Sequence, residues 1–129
     1  MTLIDTHVLL WWKSGRALPS RVRMQLAKAP VLLSPISFWE VATLVNKGRV
    51  ELDRDMQQWV YDVCSEESIK LAPLTPSAAA SAACLGGFHG DPADRLLYAT
   101  ARELRVPFVT KDRQIRDYAR KSRDIEVIW

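Results

Sequence analysis

Residues 1–129 read as one α/β domain, built in three α/β/α layers with a mainly parallel central sheet flanked by helices. Two observations carry this reading. Short apolar runs, bounded by prolines or polar residues, alternate along the chain with stretches of helical periodicity, as in a sheet covered on both faces. No internal repeat, low-complexity tract or long linker divides the sequence into parts.

The elements follow in order. Thr2–Ile4 is the first apolar run, and Asp5 ends it where a helix over about residues 7–12 begins. Leu18-Pro19-Ser20 restarts the chain, and Val22, Leu26 and Ala29 continue at helical spacing through about Lys28. The run "PVLLS" (30–34) is a buried strand. Ser37 is placed to cap the next helix, with Glu40 at the reciprocal position of a capping box and Gly48 as its stop. Met56, Trp59, Val60 and Val63 give the i, i+3, i+4, i+7 pattern of an amphipathic helix. "IKLAPL" (69–74) is a strand, residues 77–84 an alanine-rich helix, and Gly86, Gly87 and Gly90 a loop. Pro92 opens a helix that packs through Leu96, Leu97, Ala99, Thr100, Ala101 and Leu104. "VPFVT" (106–110) is a strand, 112–121 a helix, and "IEVIW" (125–129) a closing strand. Crossovers between parallel strands are right-handed. Open sheets of this kind take ligands at the carboxyl ends of their strands, where Asp5 and Asp112 lie.

Apolar residues make up 48% and charged residues 26%, which excludes a disordered chain and allows a real core. No stretch approaches eighteen uncharged apolar residues, and the N-terminus lacks the layout of a signal peptide. Cys64 and Cys84 are too few for a disulfide framework and lack metal-ligand spacing, so a reducing cytoplasm is the expected setting. The net charge is only +3, but residues 102–124 hold eight Lys or Arg against four Asp or Glu. That basic segment points to a polyanionic partner, with a solvated helix face as the alternative.

Four acids frame the chemistry. Asp112 and Asp91 each precede a helix and suit an N-cap, Asp91 with Pro92 at the first helical position. Asp94 falls at N3, where an acid favours the helix dipole. Glu40 is the only charge between Ser34 and Asn46 and borders an apolar surface, so its ionised form needs a partner or a cation. Asp5, Asp94 and Asp112 all lie where strands pass into helices on one rim. Carboxylates gathered there repel one another unless a hard divalent cation, Mg²⁺ or Mn²⁺, neutralises them. A site of that kind suits phosphodiester hydrolysis.

The stretches "LIDTHVLLW", "SFWEVATLVNKGRVEL", "HGDPADRLLYATA" and "FVTKDRQI" together resemble a PIN-domain toxin of the VapC type, over nearly the whole chain and in the family's order. The resemblance implies a Rossmann-like PIN fold and an Mg²⁺-dependent endoribonuclease, with Mn²⁺ able to substitute. It also implies a cognate antitoxin and a homodimer or toxin–antitoxin hetero-oligomer. Carried over position by position, it makes Asp5, Glu40, Asp94 and Asp112 the catalytic, metal-binding acids. Asp91 is the alternative to Asp94 or its helper through water, and Thr6 and Thr110 are auxiliary hydroxyls.

Lys111 and Arg113 flank Asp112 and are candidates for RNA phosphates, joined by Arg95 and Arg116. Arg120 and Lys121 read as solvated helix charges. His7 is a packing residue beside Asp5, and His89 sits in a Gly-rich loop from which it could touch substrate. Most of the tryptophans are assigned to the core, and the helix pair carrying Trp39 and Trp59 is expected to open an apolar groove for an antitoxin segment. Two other readings are weighed: an inert RNA- or protein-binding module whose acids are caps, and a phosphatase-like enzyme with Asp5 as nucleophile. The second usually wants another acid two residues on, and His7 stands there.

Overall fold

A computed structural model describes residues 1–28 and 30–129. The elements run β1 (Thr2–Ile4), α1 (Thr6–Lys13), α2 (Ser20–Leu26), β2 (Val31–Leu33), α3 (Pro35–Asn46), α4 (Met56–Cys64), β3 (Ile69–Leu71), α5 (Pro76–Ala83), α6 (Pro92–Leu104), β4 (Phe108–Val109), α7 (Arg113–Ser122) and β5 (Val127–Ile128). The five strands form one sheet in the order β3-β2-β1-β4-β5, and every pairing is parallel.

Side chains alternate across each strand, and this alternation makes two cores. Ile4, Val31, Leu33 and Val109 face one side, where Val8 and Leu9 of α1, Val22 of α2, Val41 of α3, and Trp59 and Val63 of α4 cover them. Leu3, Leu32 and Phe108 face the other, under Leu97, Tyr98 and Ala101 of α6 and Ile115 and Ala119 of α7. Helix α5 lies against α6. Both faces of β1 and β2 are buried, which accounts for their unbroken apolar sequences.

The chain leaves β1 towards β2, crosses back after β3, and re-enters on the other flank of β1 as β4. The carboxyl ends of β1 and β4 therefore border the switch-point crevice that accepts ligands in open parallel sheets. Asp5 N–H donates to the Val109 carbonyl at 3.0 Å, so β4 fixes the backbone at the exit of β1.

Several expected boundaries move. Ser34, not Ser37, caps α3: its hydroxyl accepts from Ile36 N–H at 3.2 Å and Pro35 takes the first turn. Ser37 lies inside the first turn of α3, fully buried with its hydroxyl against Thr6, so the capping box with Glu40 does not form. Strand β4 is shorter than the apolar run 106–110, because Pro107 has no N–H and Val106 N–H closes α6 on the Ala101 carbonyl. Strands β3 and β5 likewise span only part of 69–74 and 125–129. Helix α2 ends at Leu26, and Ala29 lies outside the described residues. Gly48, expected to stop α3, adopts φ +68° just past its end and donates to the Val45 carbonyl. Both cysteines are free, and among the described residues no helix is long and apolar enough to cross a membrane.

Candidate active site

Asp5 occupies the N-cap position of α1, yet its side chain caps nothing. Its Oδ2 instead accepts from the Thr110 hydroxyl at 2.8 Å, 105 residues away in sequence, and the residue is only 6% exposed. Thr110 in turn accepts from Asp112 N–H at 3.1 Å, so one hydroxyl ties the acid after β1 to the segment after β4. Burial pushes the Asp5 carboxyl above the usual carboxylate range; Thr110 and His7 oppose that shift and the charge of Asp112 adds to it.

Glu40 reaches the same place from α3. Its Oε1 accepts from Thr6 Oγ1 at 2.6 Å, and Thr6 Oγ1 lies 2.9 Å from Ser37 Oγ. Thr6 and Ser37 are fully buried, so this hydroxyl pair replaces the solvent that an acid on an apolar helix would otherwise require. Burial raises the Glu40 carboxyl, the Thr6 bond lowers it, and the charges of Asp5 and Asp91 raise it further.

Asp91 and Asp112 are caps as expected: Asp91 Oδ1 accepts from Asp94 N–H at 3.1 Å, and Asp112 Oδ1 from Ile115 N–H at 2.8 Å. Capping does not remove them from the cluster, because a carboxylate that caps with one oxygen retains acceptor sites on the other. Asp94, in the first turn of α6, is pushed up to about 8, first by burial and then by Asp5, Asp91, Asp112 and Glu40. The predicted acids thus converge on one rim, where Asp5, Glu40 and Asp94 resist ionising, first because they are buried and then because the neighbouring carboxylates repel them. That electrostatic conflict is the observation favouring a bound cation. The donors are carboxylate oxygens, the set a hard divalent metal prefers.

His89 is the residue that sequence reasoning underrated. One side-chain donor atom from each of His89, Asp94 and Asp112 lies within 4.8 Å of the others. Its Nε2 is 3.3 Å from Asp94 Oδ2. The signal available in the sequence was its place two residues before Asp91, in the loop feeding α6.

The basic candidates separate. Lys111 and Arg113 are exposed beside Asp112, and Lys111 Nζ lies 5.6 Å from the Trp11 ring centre and 6.0 Å from that of Trp129. Arg116 donates to the Lys111 carbonyl at 3.5 Å. Arg95 is placed differently: it donates to the carbonyls of Ala82, Ala83, Leu85, Phe88 and His89, so its guanidinium clamps a loop and is not free for phosphate. Arg120 pairs with Asp117, as a solvated helix charge does. His7 is exposed, 6.0 Å from Trp11.

The tryptophans correct a second expectation. Trp59 is in the buried core, but Trp11, Trp12 and Trp129 are half-buried and Trp39 is 62% exposed. Trp39 therefore lies on the surface and lines no groove with Trp59. A cleft of about 780 Å³ does open beside both of their helices, bounded by α1, Leu44 of α3, the 49–54 segment and α4, with His7, Trp11, Leu52, Trp59 and Val63 among its lining.

Comparison with known proteins agrees with this geometry. The family model described as PIN domain matches residues 2–121. A relative named Ribonuclease VapC22, from Mycobacterium tuberculosis, is 37% identical over 122 residues, covering 90% of each chain. Among solved structures, a toxin–antitoxin complex from Klebsiella pneumoniae superposes with TM-score 0.68 at 17% identity, over 100% of this chain and 97% of that one. VapBC2 from Rickettsia felis, bound to a DNA fragment from their promoter, gives TM-score 0.68 at 12% identity, over 98% and 96%. With its acids on the rim of a 3-2-1-4-5 parallel sheet, the chain belongs to the PIN-domain family, in its VapC branch.

Proposed function

We propose that this chain is a divalent-metal-dependent endoribonuclease toxin, using Mg²⁺ with Mn²⁺ able to substitute, that acts in the cytoplasm and is neutralised by a cognate antitoxin. The observation that carries the proposal is the convergence of Asp5, Glu40, Asp94 and Asp112, where burial, with the repulsion of the neighbouring carboxylates added, raises Asp94 to about 8. VapC22 is named a ribonuclease, and the chain shares with it the length over which such a site is built. An inert module has no use for buried acids held against their own ionisation.

Asp5, Glu40, Asp94 and Asp112 would hold the metal, with Asp91 at the margin. A divalent ion held there would supply activation of a water for attack on a phosphodiester and charge stabilisation for the departing oxygen. The chain's own contribution is preorganisation. Thr110 fixes the Asp5 carboxylate and Thr6 the Glu40 carboxylate, so neither must be oriented when substrate arrives. Lys111, Arg113 and Arg116 meet the RNA backbone next to Asp112, placing the scissile phosphate without reading sequence.

The Klebsiella and Rickettsia structures, titled as toxin–antitoxin assemblies, support a partnership with an antitoxin, either around a toxin homodimer or as a hetero-oligomer. The cleft between α1 and α4 is where an amphipathic antitoxin segment would lie. The test is cleavage of an RNA pool by protein purified from a contaminant-controlled host. Asp5→Ala, Glu40→Ala or Asp94→Ala should lose at least about 1,000-fold of the rate while keeping the far-ultraviolet spectrum. Chelation should abolish wild-type cleavage and Mg²⁺ or Mn²⁺ restore it. Undiminished cleavage by any of the three variants overturns the assignment.

A further inference from the structure

We infer that His89 is a positioning residue for Asp94, and that Arg95 exists to hold His89 in that role. The inference rests on the reading that Asp94 contributes to a metal site. Asp91 N–H lies 3.3 Å from His89 Nδ1, and a backbone amide can only donate, so Nδ1 presents its lone pair. The one proton of the neutral ring is then on Nε2. That nitrogen is buried, has no hydrogen bond of adequate geometry, and lies 3.3 Å from Asp94 Oδ2. A buried donor without a partner is costly, and a carboxylate is the acceptor in reach.

The ring cannot drift from this arrangement. It stacks on Phe88 with centroids 4.7 Å apart and planes 24° apart, and Phe88 is wedged against Tyr98 and Tyr118. The Arg95 guanidinium donates to the carbonyls of Phe88 and His89 themselves, at 3.0 and 3.1 Å, besides those of Ala82 and Ala83 at the end of α5 and of Leu85 in the loop. Asp91, Asp94 and Arg95 all belong to the start of α6. One turn of helix therefore grips a loop whose histidine reaches back to that same turn.

Ligation of the metal by His89 fits this geometry less well. A ligating Nε2 must give up its proton, which would move to Nδ1 and point at Asp91 N–H. Donation from Nε2 to one Asp94 oxygen instead fixes the carboxylate rotamer and leaves the other oxygen for the cation, the usual office of an outer-shell partner.

The experiment titrates Mn²⁺ into the full-length protein without RNA and follows free Mn²⁺ by electron paramagnetic resonance. His89→Phe keeps the stack on Phe88 and removes the donor; it should bind Mn²⁺ about 10–100-fold more weakly. His89→Gln places an amide N–H near the Nε2 position and should recover most of that loss. Wild-type affinity in His89→Phe, or no recovery in His89→Gln, overturns the proposal. A readout independent of either variant is the imidazole ¹⁵N–¹H correlation of the wild type, which should show protonated Nε2 and bare Nδ1 before and after Mg²⁺. A switch to protonated Nδ1 on adding Mg²⁺ makes His89 a ligand and refutes the positioning role. Mn²⁺ binding that depends on His89, in a protein that leaves RNA intact, would sink the nuclease assignment and spare this one; a wild type that binds no Mn²⁺ sinks both.

Discussion

Removing the metal should make the protein less stable as pH rises, and Asp94 should be the main reason. Its carboxyl releases the proton near 3.8 in the unfolded chain and at about 8 in the fold, raised by burial and by Asp5, Asp91, Asp112 and Glu40, with His89 also facing it. Between those values the native state holds a proton that the unfolded state has given up. The stabilisation is therefore complete below about pH 4 and is lost as pH climbs through 8. Each pH unit inside the window is worth about 1.4 kcal/mol, so the step from pH 5 to pH 8 removes at most about 4 kcal/mol. The Asp94 side chain retains 17% of its exposure, and water and structural relaxation around it bring the expected loss to about 2 kcal/mol. For a domain of this length that lowers Tm by roughly 6–10 °C. The assay is thermal melting in EDTA across pH 5–8, with excess Mg²⁺ in a parallel series. Mg²⁺ should flatten the profile. Asp94→Asn should melt above wild type at pH 8 without metal, leaving only the shallower slope that Asp5 and Glu40 contribute in the same direction. Metal-free stability that rises over this range, or an Asp94→Asn slope as steep as wild type, would refute the electrostatic account.

Asp112→Asn separates the two duties of that residue: asparagine still accepts from Ile115 N–H, so urea unfolding should shift by less than about 1 kcal/mol, while RNA cleavage should fall at least about 100-fold. Thr6→Val leaves Ser37 without its buried partner and Glu40 without its donor, which should cost about 1–3 kcal/mol in chemical denaturation and reduce cleavage without abolishing it.

The sequence was legible where physics is local. Pro92 at a helix start, Gly48 past a helix end, and Asp91 and Asp112 before helices all did what short-range chemistry requires of them. The apolar runs located the sheet but overstated the length of its later strands, because hydrophobicity does not register that Pro107 has no donor or that Val106 is spent on a helix end. The Thr6–Ser37 contact spans 31 residues and the Thr110–Asp5 bond 105, and no local pattern announces either. Helical periodicity marked Trp39 as apolar without saying which way α3 would turn; the structure turns it outward. Arg95 looked like a cation free for phosphate because side-chain charge says nothing about backbone acceptors, and its partners proved to be carbonyls as far back as Ala82.

The bond between Thr110 and Asp5 also sets an order of events. The strand that carries the first acid lies in the middle of the eventual sheet, yet both its clasp and its β4 neighbour are made more than a hundred residues after it. Closing so long a loop is entropically expensive until many other contacts share the cost. A nascent or prematurely terminated chain lacking β4 therefore carries Asp5 and Glu40 without the framework that makes them a site. Whatever damage the finished molecule can inflict is withheld from the ribosome that is still making it.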